Sequence, residues 1–393
     1  MTRPVIRLQP DRHRRILGGH PWAYSNEIAM TPAAKAVPPG SLVQLETAQG
    51  EAVGVALFNP HPLVSARLLS RAVDAEIDAA WIADRLTRAL ALRQRLGLGA
   101  FCRLIHAEAD GLPGLVVDRY GSVVVAQLNT AGMDLLADAI VTAIQQVLAP
   151  EAIVLRNDSS ARLTEGLSQS VRVAAGTLPD AVWIEENGVR FPVDPVDGQK
   201  TGWFYDQRDN RAAAAAMAGG GRVLDVFAYG GGFGLAALKA GAAALTVIDR
   251  SRPALERIAT AAAANDLPTP TALEGDGLDT MDALVKAGER FDLVIADPPA
   301  FAKSRKDVPV GLKAYRRMSR LGALLTAPGG FLLLASCSHN VEPEQFATEV
   351  RTGLARAGRS GRILRSAGAA SDHPVHPFLP ESAYLKALLL QID

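Results

Sequence analysis

From Gly221 onward, the sequence alternates between short apolar runs and segments with helical spacing. Near-continuous apolar runs are typical of parallel strands that helices cover on both faces. The alternation therefore predicts an α/β fold with a doubly wound sheet. Because ligands bind such sheets beyond the carboxyl ends of the strands, we expect a functional site there. Five runs are the predicted strands: RVLDVFA, ALTVIDR, TALEGDG, FDLVIADPP and GGFLLLASCS.

The 393 residues are enough for two or three domains, each with its own core. Residues 1–73 contain short β-runs broken by turns such as PPG and NPHP, which are typical of a small β-barrel module. Residues 74–185 mix helical patterns with strands and predict a compact central α+β domain. Residues 186–393 then form the α/β domain, which the chain enters through a β-rich connector.

Composition favours a cytoplasmic protein with neither a membrane partner nor a metal. No apolar run reaches the roughly 18–20 residues that a membrane helix needs, and the N-terminus lacks the apolar core of a secretory signal. The two cysteines provide no disulfide framework and no metal-ligand spacing. Lys plus Arg and Asp plus Glu number 41 each, so net charge alone does not indicate nucleic acid.

Acidic residues lie at the ends of the first four predicted strands: Asp225, Asp249, Asp276 and Asp297. A carboxylate at the second strand can accept hydrogen bonds from ribose hydroxyls, and one at the third suits an adenine amino group. The alternative is that each aspartate caps the following helix, which explains a single aspartate better than four in succession.

A glycine-rich turn, AYGGGFG, follows the first strand. Glycines let a backbone approach a ligand closely, but this spacing does not match the GxGxxG fingerprint of dinucleotide sites. The turn also lacks Lys and Arg. An acidic surround without cations fits a nucleoside that has no pyrophosphate, and so favours S-adenosylmethionine over NAD.

The fourth strand ends in the segment DPPAF. The two prolines make a rigid loop that has little conformational freedom to lose. Such a loop can present Asp297 to the edge of a base while Phe301 stacks on, or props, a base flipped out of its helix. The simpler alternative is a turn that only ends the strand.

Cys337, at the end of the fifth strand, is either a small apolar plug or a nucleophile. Carbon 5 of cytosine needs activation, which a thiolate supplies by adding to carbon 6 of the ring. Nearby His339 and a helix start would both favour a thiolate. Because Asp297 lies on a neighbouring strand end, we favour the nucleophile, whereas we assign Cys102, in AFCRLIH, to core packing.

Several long motifs in one order resemble those of the bacterial 23S rRNA cytosine-carbon-5 methyltransferase family over the whole chain. They are GHPWAYSNEI, IHAEADGLPGLVVDRYG, GQKTGWFYDQRDNR, LDVFAYGGGFGLAAL, DPPAFAKS, ASCS and DHPVHPFLPESAYLK. The resemblance implies a PUA domain, a central domain and a Rossmann-like class I methyltransferase domain. It also implies S-adenosylmethionine as cofactor and 5-methylcytosine in 23S rRNA as product, formed through a covalent cysteine adduct at ring carbon 6.

The resemblance also implies a role for individual residues. Asp297 and Cys337 would be the catalytic pair. The cofactor would be bound by Asp225, Tyr229, Gly230, Gly232, Asp249, Arg250, Asp276 and Gly277. The substrate, or the entrance to the site, would involve Pro298, Phe301, Lys200, Gln207 and Arg208. The first loop departs from the family pattern, because Gly230 replaces the usual hydroxyl residue.

The N-terminal segment is basic, with five arginines and one aspartate among its first 15 residues. Beside a PUA-like barrel, Arg12, Arg14 and Arg15 would contact RNA phosphates without reading the base sequence. A solvated face is the alternative for this cluster and for Lys313–Arg320. The RNA would be 23S rRNA, free or in an assembling large subunit, and the sequence leaves a homodimer open.

Two rival functions remain at this stage. One is methylation of an exocyclic amine or of guanine nitrogen 7, for which DPPAF would suffice. The other is a non-catalytic RNA-binding factor of ribosome assembly, in which the cofactor pocket is vestigial.

Overall fold

The computed structural model describes residues 3–198 and 201–393. The chain forms two compact units, each built from three separate segments of the sequence. The first comprises residues up to Val182 together with Asp194–Trp203 and Asp372–Ser382. The second comprises Trp183–Val193, Phe204–Ser371 and Ala383–Asp393. No helix among the described residues is long and apolar enough to span a bilayer.

The first unit begins with a curled five-stranded sheet in the order β1-β3-β4-β5-β2. Its strands bury apolar side chains in a core that includes Val43, Val53 and Phe58. The elements are β1 (Val5–Arg7), α1 (His13–Leu17), β2 (Trp22–Tyr24), α2 (Pro32–Lys35), β3 (Ser41–Glu46), β4 (Ala52–Phe58) and β5 (Val64–Ser70).

A second five-stranded sheet of the first unit has the order β10-β9-β8-β7-β6. The long helix α3 packs with this sheet's core, and Asp78 caps its N-terminus by accepting a hydrogen bond from the amide of Trp81 at 2.8 Å. The elements are α3 (Ala79–Arg95), β6 (Phe101–His106), β7 (Leu115–Tyr120), β8 (Val123–Leu128), α4 (Ala131–Leu135), α5 (Ala137–Leu148), β9 (Ala152–Asn157), α6 (Ala161–Thr164) and β10 (Ser170–Gly176).

The second unit begins with a hairpin and continues into a seven-stranded sheet. Asn187 and Gly188 both have positive φ, 52° and 73°, as a two-residue hairpin turn requires. The elements are β11 (Val182–Glu186), β12 (Val189–Val193), α7 (Arg208–Ala215), β13 (Arg222–Val226), α8 (Gly232–Lys239), β14 (Ala244–Asp249), α9 (Arg252–Ala264), β15 (Thr271–Glu274), α10 (Gly277–Lys286), β16 (Phe291–Ala296), α11 (Val308–Leu325), β17 (Thr326–Ser336), α12 (Pro343–Arg356), β18 (Gly361–Ala367) and β19 (Lys386–Ile392).

The large sheet has the order β15-β14-β13-β16-β17-β19-β18. Its first five strands are parallel, and β19 then pairs antiparallel with both β17 and the edge strand β18. The predicted doubly wound α/β fold is confirmed. The strand order reverses between β13 and β16, and ligand crevices of such sheets lie at that point.

Candidate active site

The sheet register brings four of the predicted side chains to one edge. Val226 at the end of β13 pairs with Ile248 of β14 and with Ala296 of β16, and Ala296 in turn pairs with Leu334 of β17. Asp225, Asp249, Asp297 and Cys337 therefore lie at neighbouring strand ends. The amide of Asp297 donates to the carbonyl of Val226 at 3.4 Å, which ties the DPPAF loop to the first strand.

The glycine-rich turn after β13 is conformationally strained. Phe227 and Tyr229 have φ of 64° and 50°, and Gly231 has φ of 76°. A left-handed conformation is uncommon for an aromatic residue and costs about 1–3 kcal/mol. The surrounding structure holds the turn, since the amide of Tyr229 donates to Asp249 at 2.9 Å and that of Ala228 donates to Ile248 at 3.1 Å. Strain of this kind is found at ligand sites.

Asp225 is a buried carboxyl beneath this turn. Its side chain is only 1% exposed and accepts a hydrogen bond from the amide of Gly234 at 2.9 Å. Burial raises the pKa of Asp225 to about 7, and the negative charges of Asp297 and Asp249 act in the same direction. The Gly234 hydrogen bond and Arg211 oppose the rise without cancelling it. Asp225 is thus poised between its neutral and charged forms near neutral pH.

Asp249 joins the turn to the next helix. One carboxylate oxygen accepts from the amide of Tyr229 and the other from the amide of Ser251, both at 2.9 Å. Each oxygen has a second lone pair for a further donor. The structure gives Asp249 a positioning role at the turn, and its contact with a ribose remains a prediction.

Asp276 lies two residues past the end of β15 and caps α10. One of its oxygens accepts from the amides of Leu278 and Asp279, at 3.0 and 3.3 Å, and the other accepts from Arg250 at 2.6 Å. Burial tends to raise its pKa, but these hydrogen bonds outweigh that effect and hold the pKa below its usual range. The helix-cap alternative thus describes Asp276, and its contact with an adenine remains a prediction.

Three glycines in and near the turn pack so closely against other side chains that a Cβ would clash. A Cβ on Gly232 would lie 2.5 Å from Nε of Arg211, and one on Gly277 would lie 2.4 Å from the ring of Phe227. A Cβ on Gly234 would lie 2.7 Å from Leu245. The carboxylates beside this turn are acceptors, which suit the ribose hydroxyls and the ammonium group of a nucleoside that carries an amino-acid tail, as S-adenosylmethionine does.

The DPPAF loop packs against the helix that follows it. Phe301 is half-buried, with its ring centroid 6.2 Å from that of Phe227 and 4.9 Å from that of Tyr315. The Ala302 amide donates to Ser338 Oγ at 3.1 Å. The loop is therefore attached to both neighbouring strand ends, as a platform for a base would need to be; stacking of Phe301 on a base remains a prediction.

Cys337 is partly exposed and faces the DPPAF loop. Its sulfur lies 3.9 Å from the Pro298 carbonyl oxygen, within reach of a weak S–H hydrogen bond. The flanking residues Ser336 and Ser338 are fully buried, and both hydroxyls contact the hydroxyl of Tyr315, at 2.8 and 2.7 Å. Cys337 thus lies at the surface of the site, whereas Cys102 is 0% exposed in the core of the first unit.

Two other residues predicted at the entrance of the site, Gln207 and Arg208, differ in their surroundings. Gln207 is buried and accepts from Asn210 at 2.7 Å, and Arg208 lies 3.6 Å from Glu186, which also binds Arg211 at 2.7 Å. Lys200 lies outside the described residues. Sequence reasoning gave no role to Tyr315 or Arg211, because each acts through contacts with residues remote in sequence.

The N-terminal arginines differ in exposure. Arg14 is 81% exposed and Arg12 is exposed at the start of α1. Arg15 is half-buried, bound to Glu27 at 2.5 Å and stacked over the Tyr24 ring at 4.5 Å. A second basic surface is a groove that we call the helix groove. Its volume is about 370 Å³, and it is lined by Lys313, Arg316, Arg317, Arg320 and Arg356.

The fold and the strand-end site together define a nucleoside-binding α/β protein of the class I methyltransferase type. Residues 168–391 match the family of S-adenosylmethionine-dependent methyltransferases, and residues 6–71 match the PUA-like domain. The chain belongs to the S-adenosylmethionine-dependent methyltransferases, as its motifs predicted, and S-adenosylmethionine is its cofactor.

Two relatives named ribosomal RNA large subunit methyltransferase I match almost the whole chain. The protein from Shewanella frigidimarina is 36% identical over 98% of this chain and 99% of its own length. The protein from Photobacterium profundum is 37% identical over 97% of each chain. The relatives support methylation of large-subunit rRNA and do not specify the base.

Solved structures show the same fold. A Streptococcus mutans protein assigned to the SAM-dependent methyltransferases has a TM-score of 0.81 at 21% identity, over 99% of this chain and all of its own. A structure of the same type complexed with SAH has a TM-score of 0.83 at 21% identity, over all of both chains.

The buried state of Asp225 predicts how stability depends on pH. Because its pKa is near 7 in the folded protein and near 4 when unfolded, folding takes up a proton between these values. The cofactor-free protein should lose stability as pH rises through that window, and Asp225→Asn should lack this component. Urea unfolding of both proteins at pH 5 and pH 8 measures the difference; equal changes in the two proteins would contradict the assignment.

The close contact at Gly232 predicts a selective effect of a methyl group. Gly232→Ala should displace Arg211 and weaken S-adenosylmethionine binding at least tenfold, as measured by calorimetry. Gly99→Ala is the matched control, since no atom lies within 4 Å of a Cβ placed there. Wild-type affinity in Gly232→Ala would show that the turn does not contact the cofactor.

Proposed function

We propose that this protein methylates carbon 5 of a cytosine in large-subunit rRNA, with Cys337 as the nucleophile. The observation that carries the proposal is the position of the Cys337 thiol, 3.9 Å from the Pro298 carbonyl at the same sheet edge as the glycine-rich turn. A thiol used only for packing would gain most from burial, as Cys102 does, whereas Cys337 stays accessible. Activity on rRNA would place the protein in the cytoplasm.

The chemistry needs a thiolate beside the base. The Cys337 sulfur adds its electron pair to carbon 6 of the ring, and the displaced π electrons make carbon 5 nucleophilic. S-adenosylmethionine, when bound, would supply the methyl group that carbon 5 takes up, and its sulfur would keep the electrons of the broken S–CH3 bond and leave as S-adenosylhomocysteine. A base then removes the carbon-5 proton, and the electrons of that C–H bond re-form the double bond and expel the thiolate.

Asp297 is proposed to hold the nitrogen edge of the cytosine. It follows β16 directly and is followed by two prolines, so its backbone has few alternative conformations. A carboxyl proton donated by Asp297 to ring nitrogen 3 would draw electron density from carbon 6 and assist attack by sulfur, while a hydrogen bond accepted from the exocyclic amine would orient the base. Pro298 and Phe301 would support the base in this position.

The cofactor pocket is proposed to use both ends of the strained turn. Tyr229, Gly230 and Gly232 would surround the methionine part and the ribose. Asp249 would accept from ribose hydroxyls, while Arg250, Asp276 and Gly277 would border the adenine. Lys200, Gln207 and Arg208 would line the entrance of the site.

RNA contacts are proposed for both basic surfaces. Arg12 and Arg14 are exposed, whereas Arg15 is bound to Glu27, so we expect the first two to contribute more to phosphate binding. In the helix groove, Arg316 binds Glu349 and Arg317 binds Asp279, while the structure records no ion pair for Lys313 and Arg356 among residues 3–198 and 201–393.

Cys337→Ala should abolish methyl transfer and leave S-adenosylmethionine binding near the wild-type value, because the thiol acts on the base. Cys102→Ala, which removes the other thiol, should stay active. RNA that contains 5-fluorocytosine retains its substituent at carbon 5, so wild-type protein and Cys102→Ala should form a covalent adduct that survives denaturing electrophoresis.

Methyl transfer by Cys337→Ala at the wild-type rate would reject the covalent mechanism and favour an exocyclic amine or guanine nitrogen 7. Absence of methyl transfer by the wild-type protein on unmodified large-subunit rRNA, with RNA binding retained, would favour the non-catalytic assembly factor. Mass spectrometry of the methylated nucleoside identifies the base.

Removal of two exposed cations should weaken RNA binding and flatten its dependence on salt. The slope of log affinity against log salt should fall by about 0.7 for each lost contact to single-stranded RNA, or about 1.4 for Arg12→Ala with Arg14→Ala. The pair Arg88→Ala with Arg95→Ala on α3 removes the same charge elsewhere. An equal slope change in both double variants would mean that the N-terminal cluster is an ordinary solvated face.

A further inference from the structure

The C-terminal strand brings a buried lysine next to Cys337. Strand β19 pairs antiparallel with β17, and the register sets Lys386 opposite Ser336, one residue before the cysteine. The Lys386 side chain is only 8% exposed. Its Nζ donates to the carbonyl of Ser338 at 2.7 Å and to that of Tyr384 at 2.8 Å.

A lysine in this position carries a cost that an apolar residue would avoid. Burial lowers the pKa of Lys386, whereas negative charge on Cys337 and on Glu342 raises it. The rest of β19 is apolar, with Leu388 and Leu390 in the core of the sheet. A charge kept among such residues is costly unless hydrogen bonds and neighbouring opposite charges compensate for the lost hydration.

The backbone around Cys337 is held on both sides. The hydroxyls of Ser336 and Ser338 contact Tyr315, and the Ser338 carbonyl accepts from Lys386. The cysteine between them has its sulfur at the Pro298 carbonyl. The lysine ammonium thus lies against Ser338, the residue after Cys337, just beyond the end of the adjacent strand β17.

We propose that Lys386 is a positioning residue that favours the thiolate form of Cys337 and fixes the 336–338 turn so that the sulfur faces the DPPAF loop. This inference rests on the proposed function, in which Cys337 is the nucleophile. Thiolates are stabilised by neighbouring lysines, and a free thiol titrates near 8.5. A fixed cation therefore increases the fraction of the reactive form at neutral pH.

Other ionisable groups surround the cysteine and set the charge balance. Asp297 from the β16 end and Glu342 from the start of α12 are acidic and oppose a thiolate. The pKa of Tyr315, on α11, is raised foremost by burial, so it stays neutral. His339 stacks on Tyr384 with ring centroids 5.0 Å apart, and Tyr384 donates to Asp206. Lys386 adds a positive charge to this set.

The test measures the thiol itself, without RNA or cofactor. In the full chain carrying Cys102→Ala, the rate of Cys337 alkylation by iodoacetamide is followed from pH 6 to pH 10. Lys386→Met should shift the midpoint of that profile upward by about one pH unit and slow alkylation at pH 7 about tenfold. Lys239→Met, at an exposed lysine of α8, should retain the parent profile.

A second variant separates charge from hydrogen bonding. Lys386→Gln keeps an amide that can donate to the two carbonyls but lacks the charge, so its midpoint should also rise, while Lys386→Arg should keep it low. A parent-like midpoint in Lys386→Gln would overturn the proposal. This test remains decisive even if Lys386→Met fails to fold. Failure of the proposed function is a separate result, namely methyl transfer by Cys337→Ala.

Discussion

The position of β17 between a parallel and an antiparallel neighbour determines most of the site. Parallel pairing with β16 sets the end of β17 beside the DPPAF loop, and antiparallel pairing with β19 sets Lys386 beside Ser336. Because a one-residue slip would move every side chain to the opposite face, both pairings must hold their register for Cys337 to face Pro298. The apolar faces of the helices that bury this strand therefore help to hold Cys337 in place.

The sequence predicted what depends on local pattern. Parallel strands that are buried on both faces have an apolar signature, and their ends can be located from it, so Asp225, Asp249, Asp297 and Cys337 were correctly expected at one edge. The pattern could not separate a ligand contact from a helix cap. Asp276 shows the difference, because its oxygens receive the first amides of α10 and the Arg250 guanidinium.

What sequence reasoning missed depends on contacts between distant segments. The run KALLLQI of β19 is as apolar as a parallel strand, so its direction and neighbours are not encoded in its periodicity. In the sequence, Lys386 is consequently only the last residue of the motif DHPVHPFLPESAYLK, with no sign that it lies beside Ser336. The same holds for Arg15, whose charge contributes to a basic cluster in the sequence but is bound to Glu27 in the fold.

The charges at the sheet edge explain why a cation near Cys337 matters. Burial, together with the negative charges of Asp297 and Asp249, raises the pKa of Asp225, so the edge is already costly for negative charge. A thiolate would add to that cost at the neighbouring strand end. Protonation of Asp225 relieves part of the repulsion, and an ammonium held by the Ser338 and Tyr384 carbonyls relieves more. An acidic cofactor turn and an anionic nucleophile can then share one edge of the sheet.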